Sequence, residues 1–190
     1  MEDEVFNEFP SDTPLLLHRL DTGTSGVLLF AKSQGVFNEM RFKFKSRSIE
    51  KHYWAFVHAK EAFHSSEPSS FPEAIRIPLG HHPKSKKRMI PLPPGLRRSF
   101  RGKTLPAETL IHGKESVRFE GHPCERLDVE ITTGVMHQIR VHLAFRGTPI
   151  LGDPLYGGKE PIRLGLHARS IAFELQGFQY RIKAPLDGCG

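Results

Sequence analysis

From Arg126 to Ile131 the chain alternates charge with hydrocarbon, Arg126, Asp128 and Glu130 being interleaved with Leu127, Val129 and Ile131. Successive side chains on a β-strand point to opposite faces, so this pattern demands a strand with one face buried and the other wet. Half-buried strands of this kind suit an antiparallel sheet. Other segments read in the same terms. Leu15–Leu17 and Gly26–Ala31 are short apolar runs around a Thr-Gly-Thr-Ser-Gly turn and read as two strands flanking a loop. Ser33 is placed to cap a helix carrying Val36, Phe37, Met40 and Phe44 at helical spacing, ended by Ser46, Arg47 and Ser48. Tyr53–Val57 is aromatic and β-branched and predicts a strand.

Between His58 and Pro106 the chain is rich in Pro, Ser, Lys and His, with short strands predicted at Ala74–Leu79 and Arg88–Leu92 and a turn at Pro93–Gly95. A second helix is predicted to open at Gly134 and run through Ile139 and Leu143 until Gly147, with Pro149 beyond. The turn-rich stretch ILGDPLYGG follows, then closing strands at Ser170–Leu175 and Gln179–Ala184. Several strands with two well-separated helices define an α+β chain whose mixed sheet is mostly antiparallel, with helices flanking it.

At 190 residues, with 38% apolar residues and 17 glycines besides, the composition is that of an ordinary globular domain. Such a length buries enough surface to need no disulfide or metal staple. Cys124 and Cys189 form no C-x-x-C pair, which fits a reducing compartment. No apolar run approaches a membrane span, and the acidic start MEDEVFNEF is no signal peptide. The expectation is an intracellular, cytoplasmic protein with no membrane partner. The net charge is +6, and positive charge concentrates in Arg41–Lys51 and Lys84–Lys103, which points to a polyanion and first to nucleic acid.

Several chemistries are absent from the sequence. No H-x-x-x-H or H-E-x-x-H spacing supports a metal site, and no phosphate loop, dinucleotide fingerprint or G-x-S-x-G elbow occurs. No metal is expected. Asp21 stands out within HRLDTGTSG between two apolar runs. An Asp before Thr-Gly is by default a turn residue. Arg19, two positions earlier, shares its face if the stretch is extended. Two other segments combine cations with polar and aromatic groups: Lys51 and Tyr53 in K-H-Y, and Arg140 in H-Q-I-R-V-H.

In order and separation these segments resemble the RluA-type family of RNA pseudouridine synthases. HRLDTGTSGVLLFAKS is similar to the family's H-R-L-D-x-x-T-S-G signature, EKHYWAFV to its K-x-Y strand, and TTGVMHQIRVHLAFRGTPILGDPLYGG to its T-G-R-x-H-Q-I-R-V-H-L … G-D-x-x-Y-G stretch. LHARSIAFE resembles its closing L-H-A segment, so the likeness runs from about His18 to Pro185. Where the family carries T-G-R-T-H, this chain has Thr133, Gly134, Val135, Met136 and His137, and one cation is missing. The family's upstream K-P-x-G strand has no counterpart in residues 1–17, which read as an N-terminal segment lacking it, ahead of a catalytic domain over residues 18–190.

The resemblance implies the pseudouridine synthase fold with a central RNA-binding cleft, and an isomerase that needs no cofactor. It breaks the uridine N1–C1′ bond, turns the base and rejoins it through C5. The resemblance makes Asp21 the nucleophile, toward sugar or base; a carboxyl of ordinary pKa near 3.9 is ionised at neutrality. Arg140 would hold it ionised and oriented. Tyr53 would stack on the uracil and offer a phenol near C5. The substrate-binding residues implied are His18, Arg19, Lys51 (through an ion pair) and Ile139. The uridine would be flipped from its stack, with Arg19 filling the gap or holding a phosphate. A monomer acting on a stem-loop of rRNA or tRNA is expected. The alternative is a catalytically inactive RNA-binding protein on the same scaffold, the missing cation being its support.

Overall fold

The computed structural model describes residues 15–58 and 71–186. The alternating segment lies at its centre. It forms part of β10 (His122–Ile131), which pairs antiparallel with β4 (Glu50–Val57) on one side and β9 (Thr109–Phe119) on the other. Leu127, Val129 and Ile131 are buried as the alternation requires. The sheet continues through β11 (Leu166–Leu175) to β12 (Phe178–Lys183) at one edge and β5 (Glu73–Ile75) at the other. All these ladders are antiparallel; the parallel contact is β2 (Ser25–Gly26) against β11. The expected α+β architecture is therefore the observed one.

Local chemistry explains the first helix. In α1 (Gln34–Ser46) the Ser33 hydroxyl accepts the Val36 N–H at 3.3 Å, and Arg47 closes the helix in the left-handed region with φ 61. Met40 turns its side chain inward against Val27, Ile49, Ile171 and Phe173. Leu15–Leu16 (β1) pairs with Phe30–Ala31 (β3), so the expected strand over Gly26–Ala31 is two short pieces, β2 and β3, with a break between them. Gly26 accounts for the break. It has φ 114, and a Cβ there would sit 2.2 Å from the Ala168 carbonyl oxygen, so the chain can dock on β11 only with glycine.

Two other expectations are corrected, and one strand lies where none is expected. The strand read over Ala74–Leu79 divides at Ile77–Pro78: β5 belongs to the large sheet, whereas β6 (Leu79–His81) joins β7 (Met89–Pro91) and β8 (Arg101–Leu105) in a separate small sheet. Proline cannot donate to a ladder, so the sheet changes there. The eleven-residue β9 is not legible in the sequence, because Gly113 and polar residues interrupt its pattern and a register shift near His112 breaks its alternation. The second helix, α2 (Gln138–Phe145), starts four residues later than Gly134. The buried Gln138 side chain fastens the turn ahead of the helix: Oε1 accepts from the Thr133 hydroxyl (2.7 Å) and the Val135 N–H (3.2 Å), while Nε2 donates to the Glu108 carbonyl (2.7 Å). Residues 59–70 of the His58–Pro106 region, and Cys189, lie outside the described residues. No helix among the described residues is long and apolar enough to cross a membrane.

Ile139 and Leu143 of α2 pack on Ala55, Val57, Leu127 and Val129, so the helix covers the middle of the sheet. Its outer side, through Val141, meets Leu79 and Met89 of the small sheet. That small sheet carries exposed Lys84, Lys86, Lys87, Arg97, Arg98 and Lys103, and no Asp or Glu occurs between Glu73 and Glu108. One buried ion pair ties α2 to the loop after it. Arg140 Nε donates to Asp153 Oδ2 (2.7 Å) and Nη2 to Oδ1 (2.8 Å), with Asp153 fully buried. Asp153 Oδ1 also accepts the Leu155 and Tyr156 N–H groups.

Removing one member of such a pair strands the other charge in the interior. Asp153→Asn is expected to lower the unfolding free energy by about 3–5 kcal/mol in urea denaturation; a loss below about 1 kcal/mol would show the guanidinium finding another partner. A second expectation concerns acid. The fully buried His142 donates from Nε2 to the Ile77 carbonyl (2.8 Å) and accepts from the Thr109 hydroxyl at Nδ1 (2.8 Å), and burial pushes its pKa below the usual value despite the Ile77 bond. His18, His137 and His167 are displaced in the same direction, chiefly by burial. The unfolded chain thus binds these protons first, so stability holds above about pH 6.5 and falls as pH drops toward the folded-state values. Melting temperatures measured from pH 7.5 to 5 should decline, and a rise over that range would contradict the assignment.

Candidate active site

A cavity of about 450 Å³ opens where the loop before β2, the strand β4 and the turn before α2 converge. Its lining includes His18, Arg19, Asp21, Lys51, Tyr53 and Ile139, six of the residues singled out in the sequence. Arg140 is not on the lining surface and reaches Asp21 from behind. Residues 18–21 follow β1 as irregular chain, and the Thr24 N–H closes a turn onto the Asp21 carbonyl at 2.9 Å. The Thr24 hydroxyl, also on the lining residue set, is buried with no hydrogen-bond partner among the described residues.

The Asp21 carboxylate is partly exposed and meets two cationic or donor groups. Arg140 Nη1 lies 3.5 Å from Oδ2, and His137 Nε2 lies 4.0 Å from Oδ1. Asp153 thus has first claim on Arg140, with two short bonds, and Asp21 receives the remaining nitrogen. Burial opposes the guanidinium charge, but the Asp153 bonds and the charges of Asp153 and Asp21 outweigh it and raise the Arg140 pKa.

Lys51 and Tyr53, two apart on β4, both turn toward the cavity. Burial first, and the Asp21 charge second, push the Tyr53 phenol up to about 12, so it is protonated at neutrality. The ion pair expected for Lys51 is replaced by a hydrogen bond: Nζ donates to the Thr133 carbonyl at 3.2 Å, and burial, helped by Arg47, lowers its pKa. The carbonyl ties β4 to the turn before α2. His18 accepts the Leu29 N–H at Nε2 (3.2 Å) and lies against Phe44, ring centroids 5.3 Å apart, so one of its nitrogens serves the β1–β3 hairpin. Burial, and secondarily Lys51, keep its pKa low. Arg19 is exposed at the cavity edge. Ile139 lines the cavity and is buried as part of the core beneath it.

Sequence reasoning did not single out Asp153, His137 or Tyr156. His137 Nδ1 is 2.9 Å from the Tyr156 hydroxyl, whose ring lies between Arg88 (5.6 Å) and Arg140 (5.3 Å). All three residues lie within the TTGVMHQIR … GDPLYGG stretch, but nothing local to it says which side chains face each other. Val135, at the missing cation, packs against Leu79 and Met89, and Met136 is exposed at the cavity rim. Among the described residues no three His, Cys, Asp or Glu side chains come together as metal ligands. The site offers a partly exposed carboxylate beside a guanidinium, an aromatic wall and a mouth bearing Arg19.

Comparison with known proteins bears on the family of the chain. The family model described as RNA pseudouridylate synthase matches residues 3–145. The ribosomal large subunit pseudouridine synthase C of Yersinia pestis is 35% identical over 184 residues, covering 90% of this chain and 52% of that protein. The chloroplastic RNA pseudouridine synthase 2 of Arabidopsis thaliana is 31% identical over 159 residues, covering 84% of this chain and 34% of its own length. The chain thus spans about a third to a half of the curated relatives it matches. The solved structure of human RNA pseudouridylate synthase domain containing 1 superposes with a TM-score of 0.75, over 93% of this chain and 70% of that one at 24% identity, a likeness of fold. With the motifs, the cavity and these matches in agreement, the chain belongs to the RluA-type family of RNA pseudouridine synthases.

Proposed function

We propose that this protein isomerises uridine to pseudouridine in a structured RNA, an rRNA or tRNA stem-loop, as a monomer, with Asp21 as the nucleophile and the target base flipped into the cavity. The observation that carries the reading is the Asp21 carboxylate, held at the cavity by Arg140 beside the buried face of Tyr53. A volume of about 450 Å³ falls within the range of small-molecule sites and accommodates an extruded nucleotide. The reaction is an isomerisation: N1–C1′ breaks, C5–C1′ forms, the C5 proton leaves and N1 gains one. No co-reactant is consumed.

In this scheme Asp21 attacks the substrate while the Arg140 charge steadies the carboxylate without taking its place. Tyr53 gives its ring to the uracil. Part of what keeps its phenol protonated is the Asp21 charge, and that part vanishes once Asp21 is bonded to the substrate. The phenol then gives up its own proton to solvent more readily, and as a phenolate it takes the C5 proton. Lys51 keeps β4 in place through the Thr133 carbonyl. Arg19 at the mouth fills the stack that the base has left or meets a phosphate, and the acid-free small sheet supplies further phosphate contacts.

The decisive experiment incubates the protein with RNA from cells lacking it and maps new pseudouridines. Asp21→Asn is expected to abolish their formation while RNA affinity stays within a few-fold; near wild-type product from Asp21→Ala would sink the assignment. Tyr53→Phe is expected to keep affinity and lose rate, and an unchanged rate would reduce Tyr53 to a stacking surface. RNA binding should weaken steeply between about 50 and 200 mM salt. Lys86→Glu with Lys87→Glu should flatten that dependence without moving the modified position, and a flat wild-type curve would leave the basic sheet without a role in binding.

A further inference from the structure

His137 stands in the turn before α2 with left-handed backbone, φ 55, and faces two groups at once. Its Nε2 lies 4.0 Å from Asp21 Oδ1, and its Nδ1 lies 2.9 Å from the Tyr156 hydroxyl. That hydroxyl already accepts the Met89 N–H at 2.8 Å. A phenol has one proton to give. The arrangement that satisfies all three groups sends it to His137 Nδ1, which is then an acceptor, so the imidazole carries its own proton on Nε2 and points it at Asp21. The reverse tautomer would set Nδ1–H and the amide N–H on the same oxygen and leave the phenol proton without an acceptor among the described residues. Burial, aided by Arg140 and opposed by the Asp21 and Asp153 charges, keeps the ring's pKa low and favours this neutral form.

We propose that His137, fixed in its Nε2–H tautomer by Tyr156, is a positioning residue that sets the second oxygen of the Asp21 carboxylate while Arg140 sets the first. A carboxylate held at one oxygen still turns about its Cβ–Cγ bond. A donor at each oxygen fixes its plane, and with it the direction of attack. The 4.0 Å separation is longer than a hydrogen bond, and contacts of this kind tighten when a substrate closes the site. Through Tyr156 the same contacts anchor the carboxylate to Met89 of the small sheet. The proposal rests on Asp21 being the nucleophile of the proposed reaction.

Two isosteres separate this role from a purely structural one. A Gln amide reproduces the donor at Nε2, facing Asp21, whereas an Asn amide reproduces the group at Nδ1, facing Tyr156. Asn also suits the left-handed backbone better than Gln, so backbone preference works against the expected order. Single-turnover tritium release is measured on RNA labelled at uridine C5 from cells lacking the protein, together with RNA affinity and melting temperature. His137→Asn is expected to lose about 10- to 100-fold in rate with affinity within a few-fold, and His137→Gln to recover most of that loss. Tyr156→Phe should lower the rate less than His137→Asn. In the wild type, long-range proton–nitrogen NMR should find His137 protonated at Nε2. An Nδ1-protonated ring, or an Asn variant as fast as the Gln variant, overturns the positioning role. A wild-type protein that releases no tritium overturns instead the reaction on which that role rests.

Discussion

The geometry of the site depends on one buried guanidinium. Arg140 commits Nε and Nη2 to the fully buried Asp153 and has Nη1 left for Asp21. A guanidinium is planar and its donors are fixed relative to one another, so placing two of them places the third. Asp153 is itself held by the Leu155 and Tyr156 amides. Helix α2, the loop after it and the loop bearing Asp21 therefore register against a common group. Buried ion pairs contribute little net stability compared with apolar packing of the same volume. What this one contributes is direction.

Around that pair the sheet supplies rigidity and the short N-terminal strands supply little. β4 is hydrogen-bonded on both sides, to β10 and β11, so Lys51 and Tyr53 are projected from a backbone that cannot slip by one residue without turning them to the opposite face. β1, β2 and β3 have two residues each, too few to fix a loop by ladder bonds. The loop with Asp21 is fastened instead by particular contacts: His18 on the Leu29 amide, Gly26 against Ala168, and Arg140 on the carboxylate itself. The loop bearing the carboxylate is thus held by a few particular contacts more than by long ladders.

The small sheet has a different character. Its apolar side packs on Val141 and Val135, and its cations face outward with no acidic residue between Glu73 and Glu108 to neutralise them. Val135 explains how the chain accommodates the loss of the family's cation: the side chain there is part of this sheet's packing.

Patterns short enough to lie within one element are legible from residues alone. The alternation at 126–131 marks β10, and Ser33 marks the start of α1; it is the resemblance to a known family, carried by the motifs, that groups His18, Arg19, Asp21, Lys51, Tyr53, Ile139 and Arg140 as one expected site. Such features survive because periodicity and capping depend on neighbours in the chain. Partnerships do not show. Lys51 meets a carbonyl 82 residues away instead of an ion-pair partner, and Asp153 and Tyr156 carry no local mark of what they hold; the pairing of Arg140 with Asp21 across 119 residues is expected only through the family resemblance. The turn ahead of α2 is hidden because Gln138, whose side chain is bonded to Glu108 thirty residues earlier, fastens it. β9 is hidden because its strand character comes from pairing with β10 rather than from its own pattern. The sequence by itself determined the elements with strong local periodicity and, through its motifs, the family. The tertiary structure decided which oxygen meets which donor, because hydrogen-bond and ion-pair partners are selected by packing across the fold.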